Sequence, residues 1–137
     1  ARQVKELNDP SIIVFEEDQL NTTHPIIKGR NESERIKRVI AFTGQSLKGP
    51  KGSIAVVSFS DTAVDHLLDN TMKPAKDRAE IIAHPFGKGR VVVSGDASYI
   101  TSKEDSTTNE KHGMNRTGSD NVQLVLNVFH WLSGELK

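Results

Sequence analysis

The chain has no cysteine, which rules out disulfides, thiolate metal sites and a cysteine nucleophile in its 137 residues. Aromatic residues are few, at 5% of the total. Apolar runs are short. None reaches the eighteen or so residues that a membrane-crossing helix needs. Charge of one sign is also missing, since Lys plus Arg and Asp plus Glu stand at 18 each. A nucleic-acid binder would carry a basic stripe, and the densest charged stretch, Arg30 to Arg38, mixes both signs as a solvated face does. The expected partners therefore exclude nucleic acid and a membrane span. No signal peptide is visible, and the chain opens on Ala1 rather than Met, so it reads as a processed or excised piece. Its compartment is left open between cytoplasm, periplasm and secretion. The three sequons at Asn21, Asn31 and Asn115 are read as chance tripeptides.

What is present is a series of short β-branched runs divided by turn signals. Gly87 to Ile100 (GKGRVVVSGDASYI) organises the rest. Val91, Val92 and Val93 have the character of a strand packed on both faces, and Gly95-Asp96-Ala97-Ser98 ends it with small residues and one carboxylate. Other strand candidates are Ser11–Phe15, Val39–Thr43, Ile54–Phe59 and Glu80–Pro85. The last is joined to Arg90–Ser94 as a hairpin with a longer loop through Gly87-Lys88-Gly89. Arg2 to Asn8 suggests the tail of a helix stopped before Pro10. Glu16 to Asp18 makes an acidic edge or loop, and His24 to Arg30 an extended stretch that turns at Gly29. Ser33 to Val39 fits a helical turn or two, or a strand. Ser60-Asp61-Thr62 either caps a short helix through Leu68 or opens a loop. Asp69–Arg78 reads as a loop, and so does the long polar stretch Ser102–Ser119. The clearest helix follows, capped by Thr117 or Ser119 with Asp120 answering its dipole, and stopped at Gly134. Val122, Val125, Leu126, Phe129 and Leu132 share one face at helical spacing, widened by Leu124, Val128 and Trp131, which predicts a deeply buried helix.

Several segments together resemble the class I glutamine-amidotransferase-like superfamily, in its non-amidotransferase bacterial branch near trehalose-utilisation-type domains. They are His24-Pro25-Ile26-Ile27-Lys28-Gly29-Arg30, Phe42-Thr43-Gly44-Gln45-Ser46-Leu47, Gly87 through Ala97, and Asp120-Asn121 through Asn127-Val128-Phe129-His130-Trp131-Leu132. The resemblance covers the back part of the family's domain, without the front βαβ units that carry the nucleophile elbow. It implies an α/β fold with a flavodoxin-like three-layer sheet, here incomplete, and a buried C-terminal helix. Residues 1–137 are expected to form one such domain, a fragment of a larger chain.

The candidate site lies where the strands of an open α/β sheet end. Asp96, Ser98 and His112 are the catalytic candidates, Asp96 as a base or as an orienter of histidine. Asn115, Arg116 and Asn121 are the candidate ligand-binding residues. Against this stands a local reading in which Asp96 and Ser98 cap a turn and Asp120 answers the helix dipole. Ser46 sits in a near-match to the Gly-x-Ser-x-Gly elbow, but Lys48-Gly49-Pro50 replaces the helix that the oxyanion hole requires. The histidines His24, His66, His84, His112 and His130 show no metal-binding spacing, and no cofactor motif is present. The leading expectation is a non-catalytic binding or interaction module for a small-molecule or carbohydrate ligand, a second copy, or other domains of a parent chain. The alternatives are a hydrolase or sugar-modifying enzyme around Asp96, and a structural domain that needs another segment or subunit to complete its sheet.

Overall fold

A computed structural model of the chain describes residues 12–137 together with the backbone of Arg2 and Gln3. The apart-lying Arg2–Gln3 pair forms a strand, β1, and the remainder of the helix tail expected over Arg2 to Asn8 lies outside the described residues, as does Ser11. The elements that follow are β2 (Ile12–Phe15), α1 (Pro25–Lys28), β3 (Val39–Phe42), β4 (Ile54–Ser58), β5 (Ala63–His66), β6 (Met72–Pro74), β7 (Ala79–Phe86), β8 (Gly89–Ser94), β9 (Ser102–Glu104), β10 (Lys111–Gly113) and α2 (Asn121–Ser133). The molecule is a mixed α/β structure with several small sheets and a C-terminal helix, and every strand pair among the described residues is antiparallel.

The apolar runs became strands where expected, because β-branched side chains pack well on a pleated, half-buried surface. In β2 and β3, paired from Ile12 opposite Phe42 to Phe15 opposite Val39, successive residues face opposite ways. Ile13, Phe15, Val39 and Ala41 enter the main core with Val56, Val57, Ile81 and Leu124. Ile12, Val14 and Ile40 form a second apolar cluster on the other face, with Phe42 against it.

The second sheet runs β4-β7-β8. The β7–β8 hairpin closes on two residues rather than the longer loop expected, with Phe86 opposite Gly89. Gly87 has φ +58°, which only glycine adopts cheaply and which suits the first central position of a hairpin turn. Contrary to the expectation of a strand packed on both faces, β8 has Val91 and Val93 exposed and only Val92 half-buried.

Four more local expectations are corrected. His24 to Arg30 is not extended: His24 caps α1, its Nδ1 accepting from the Ile26 amide at 3.2 Å, and Pro25 takes the first helical position where its missing N–H costs nothing. Residues 63–66 are a strand paired with β6, so Ala63–Leu68 is neither helix nor plain loop, and β6 lies inside the expected 69–78 loop. The stretch 102–119 is ordered by the β9–β10 pair, with Lys111 opposite Glu104. For the ambiguous 33–39 segment, a 3-10 turn over Glu32–Glu34 precedes the strand that begins at Val39.

The helix α2 falls where its periodicity predicts, but turned about its axis. Its N-cap is Asp120, not Thr117 or Ser119, and Gly134 ends it in the left-handed region. The buried face carries Asn121, Leu124, Asn127 and Trp131, while Val122, Leu126, Phe129 and Leu132 are exposed. The buried amides have specific partners. Asn127 Nδ2 donates to the carbonyls of Ile26 and Glu34, both at 2.8 Å, and so ties α2 to α1. Arg90 of β8 stacks over the Trp131 ring and donates to the Leu136 carbonyl, fixing the C-terminal end of α2 to the sheet.

Candidate functional site

The candidate site is built on the outer edge of β3. Its inner edge pairs with β2, so the N–H and C=O groups of alternate residues 38, 40 and 42 point away from that pairing and must be satisfied elsewhere. No strand lies there among the described residues. Side chains take the strand's place. Asp120 Oδ2 accepts from the Lys37 amide at 2.7 Å and the Arg38 amide at 2.9 Å, and its own amide donates to the Arg38 carbonyl at 2.8 Å. Asn121 accepts from the Ile40 amide at 3.1 Å and donates to the Ile40 carbonyl at 2.9 Å and the Gly113 carbonyl at 3.1 Å. Asp96 Oδ2 accepts from the Phe42 amide at 2.6 Å. One amide and two carboxylates thus copy the hydrogen-bonding edge of a neighbouring strand.

Asp96 is buried and holds the adjoining turn as well. Its Oδ1 accepts from the Ser98 amide at 2.8 Å and its Oδ2 from the Ser98 hydroxyl at 2.5 Å. The expected pairing of Asp96 with Ser98 is therefore present, and it is a turn-holding contact joined to a long-range strand contact.

Beneath Asp96 lies Glu80, a residue that the reading of the sequence passed over. It is fully buried on β7, and among the described residues neither of its carboxyl oxygens nor the hydroxyl of the neighbouring Tyr99 completes a hydrogen bond of good geometry. Burial first, then the charge of Asp96, pushes the Glu80 carboxyl up to about 8, so it is protonated at neutral pH. Burial, followed by Glu80 and Asp96, also raises the Tyr99 hydroxyl well above its ordinary value. Two glycines let backbone close over this pair: a Cβ on Gly95 would lie 1.9 Å from the Gln45 carbonyl oxygen, and one on Gly44 3.0 Å from Glu80 Oε1. The sequence did hold a signal for Glu80, a lone carboxylate within an otherwise apolar strand, Ala79-Glu80-Ile81-Ile82-Ala83.

The other expected site residues divide. His112 stands with Asp96, Ser98, Phe42, Thr101 and Lys103 around a hollow of about 380 Å³, its ring 5.1 Å from that of Phe42 and edge-on to it. Arg116 lines a different hollow, about 620 Å³, over Ile12, Val14 and Ile40, and pairs with Glu110 at 2.5 Å. Asn115 is exposed and lines neither. Asn121 is fully buried at the β3 edge. Ser46 accepts from the Arg78 guanidinium and donates to Asp65 at 2.7 Å, a structural knot between the strands. No group of three or more His, Cys, Asp or Glu side chains able to hold a metal ion occurs among the described residues.

A third hollow, about 290 Å³ and mostly apolar, runs between β8 and α2. Val92 and Ser94 of β8, Asp96, Ile100, and Phe129 and Leu132 of α2 are among the residues that line it. No helix among the described residues is long and apolar enough to cross a membrane. Set against known proteins, the chain matches no family model, no curated protein and no solved structure.

Proposed function

We propose that this chain is an α/β domain of the amidotransferase-like kind that acts as a non-catalytic binding module, with the β8–α2 groove as its binding surface; the antiparallel pairing of its described strands departs from the parallel flavodoxin-like sheet that the resemblance implies. The observation that carries this reading is the orientation of α2. Its apolar stripe, Val122, Leu126, Phe129 and Leu132, is exposed, with Phe129 and Leu132 lining the groove over Val92 of β8, while the buried side holds two asparagines beside Leu124 and Trp131. Contiguous exposed apolar surface of this kind marks an interaction site. The chemistry of Asp96 supports the same reading, because its carboxylate is already engaged by three donors from Phe42 and Ser98.

The test uses the apolar dye anilinonaphthalene sulfonate on dilute, folded protein. The wild type takes up dye with enhanced fluorescence, and Phe129→Glu loses that uptake while keeping its far-ultraviolet circular dichroism. Uptake unchanged in Phe129→Glu, or no uptake by the wild type, overturns the reading. The alternative, a hydrolase or sugar-modifying enzyme, draws on the hollow shared by Asp96 and His112. It predicts turnover of a glycoside or ester by the wild type that His112→Ala abolishes without loss of fold.

A further inference from the structure

Resting on the binding-module reading, we propose that the occupant of the β8–α2 groove is a second copy of this chain, joined through antiparallel pairing of β8 with the partner's β8. Three observations converge on it. The first is the open edge. The order β4-β7-β8 leaves one side of β8 without a strand beside it among the described residues. In a two-residue hairpin the closing pair, Phe86 and Gly89, exchanges both hydrogen bonds, and the pairs then alternate along the ladder. Pro85 opposite Arg90, lacking an N–H, falls at a non-bonded position as this phase requires. The backbone groups of Arg90, Val92 and Ser94 therefore point outward.

The second observation is geometric. A two-fold axis through Val92 sets it opposite the partner's Val92, and Arg90 opposite the partner's Ser94, which joins the two edges by about six hydrogen bonds. Because α2 covers one face of β8, the same axis brings both α2 helices side by side on that face, exposed stripe against exposed stripe. One symmetry operation covers both the edge and the apolar wall. It also carries Lys88 toward the Asp96 end of the partner's β8.

The third is area. Ile100, Val122, Leu126, Phe129 and Leu132 are 64%, 51%, 46%, 61% and 38% exposed. At ordinary side-chain sizes that is up to about 500 Å² per copy, or about 1,000 Å² for the pair before the strand edges are added, and specific dimers begin near 1,200 Å².

Sedimentation velocity from micromolar to hundreds of micromolar protein tests the proposal. The expected result is a mass that doubles with concentration. Val92→Pro removes an outward N–H that the protein's own ladder does not use, so it weakens the dimer by about a hundredfold while the monomer stays folded. Phe129→Glu, on the exposed stripe, likewise gives a monomer and decides the matter should Val92→Pro disturb the strand. A wild type that stays monomeric throughout, or a dimer that survives both changes, overturns the proposal. A monomer whose dye uptake is lost in Phe129→Glu removes the second copy but leaves the binding module standing, whereas a monomer that takes up no dye removes both.

Discussion

The outer edges of β3 and β8 pose the same physical problem and meet it in opposite ways. Both are rows of backbone donors and acceptors with no strand beside them among the described residues. At β3 the row is closed from within by Asp96, Asp120 and Asn121, with Gly44 and Gly95 allowing the chain to close tightly behind. At β8 no side chain among the described residues closes the row, and the groove beside it is lined mainly by Val92 and apolar side chains of α2, with Ser94 and Asp96 among its lining. A sealed edge is finished structure, while an open edge flanked by apolar surface invites another strand. The difference gives the aspartates and asparagine a stabilising role, and on the proposed reading it leaves association to the β8 edge and Phe129.

The sealed edge should dominate stability, and the pH dependence of Glu80 is the largest effect expected. Its carboxyl titrates near 8 when folded, against an ordinary 4.5 for the free group. Below pH 4.5 both states are protonated. As pH rises from 4.5 to 8 the unfolded chain releases the proton first, so folding stability falls across that window and levels above it. The full shift corresponds to at most about 5 kcal/mol, at roughly 1.4 kcal/mol per unit. Urea titrations at pH 5 and pH 8.5 should show this fall in the wild type and its loss in Glu80→Gln. An equal slope in both proteins would mean that Glu80 is not the group that titrates. Next in size, Asn121→Ala strands the Ile40 amide and carbonyl and the Gly113 carbonyl in a buried place, and should cost about 3 kcal/mol in the same assay.

The strands were legible because β-branched runs such as Ile54–Ser58 and Val91-Val92-Val93 carry their own preference for extended backbone. The span of α2 was legible from its period. Its rotation was not. Periodicity locates an apolar stripe but does not say which way the core lies, and here Asn121 and Asn127 turn inward because backbone groups of β3 and α1 need their amides. The same need explains the candidate site. Asp96 and Ser98 were found together because they are neighbours in sequence, but the contact of Asp96 with Phe42 spans 54 positions and leaves no local mark. Short strands such as β6 (Met72–Pro74) and β9 (Ser102–Glu104), exposed throughout, have no apolar alternation to betray them.

The smaller effects sharpen the contrast. Asp120 binds the Lys37 and Arg38 amides at the exposed end of the seal, where water can replace it, so Asp120→Ala should cost about 1 kcal/mol by thermal or urea unfolding. A cost as large as that of Asn121→Ala would mean that the seal acts as one unit and not as graded parts.

At the open edge the expected effect on the single chain is smallest. Leu126 points out of α2 and is about half exposed, so Leu126→Gln removes little buried surface and keeps a good helix former. Its effect on the unfolding free energy, measured at a dilution where the chain is monomeric, should stay within about 0.5 kcal/mol. At high concentration the same change should lower the apparent melting temperature relative to wild type, because a dimer stabilises the folded state by mass action and Leu126→Gln weakens the dimer. The two measurements separate the roles of the edges: a large loss in the dilute sample would make the outward stripe part of the monomer's own core, and the distinction between a sealed edge and an open one would fail at α2.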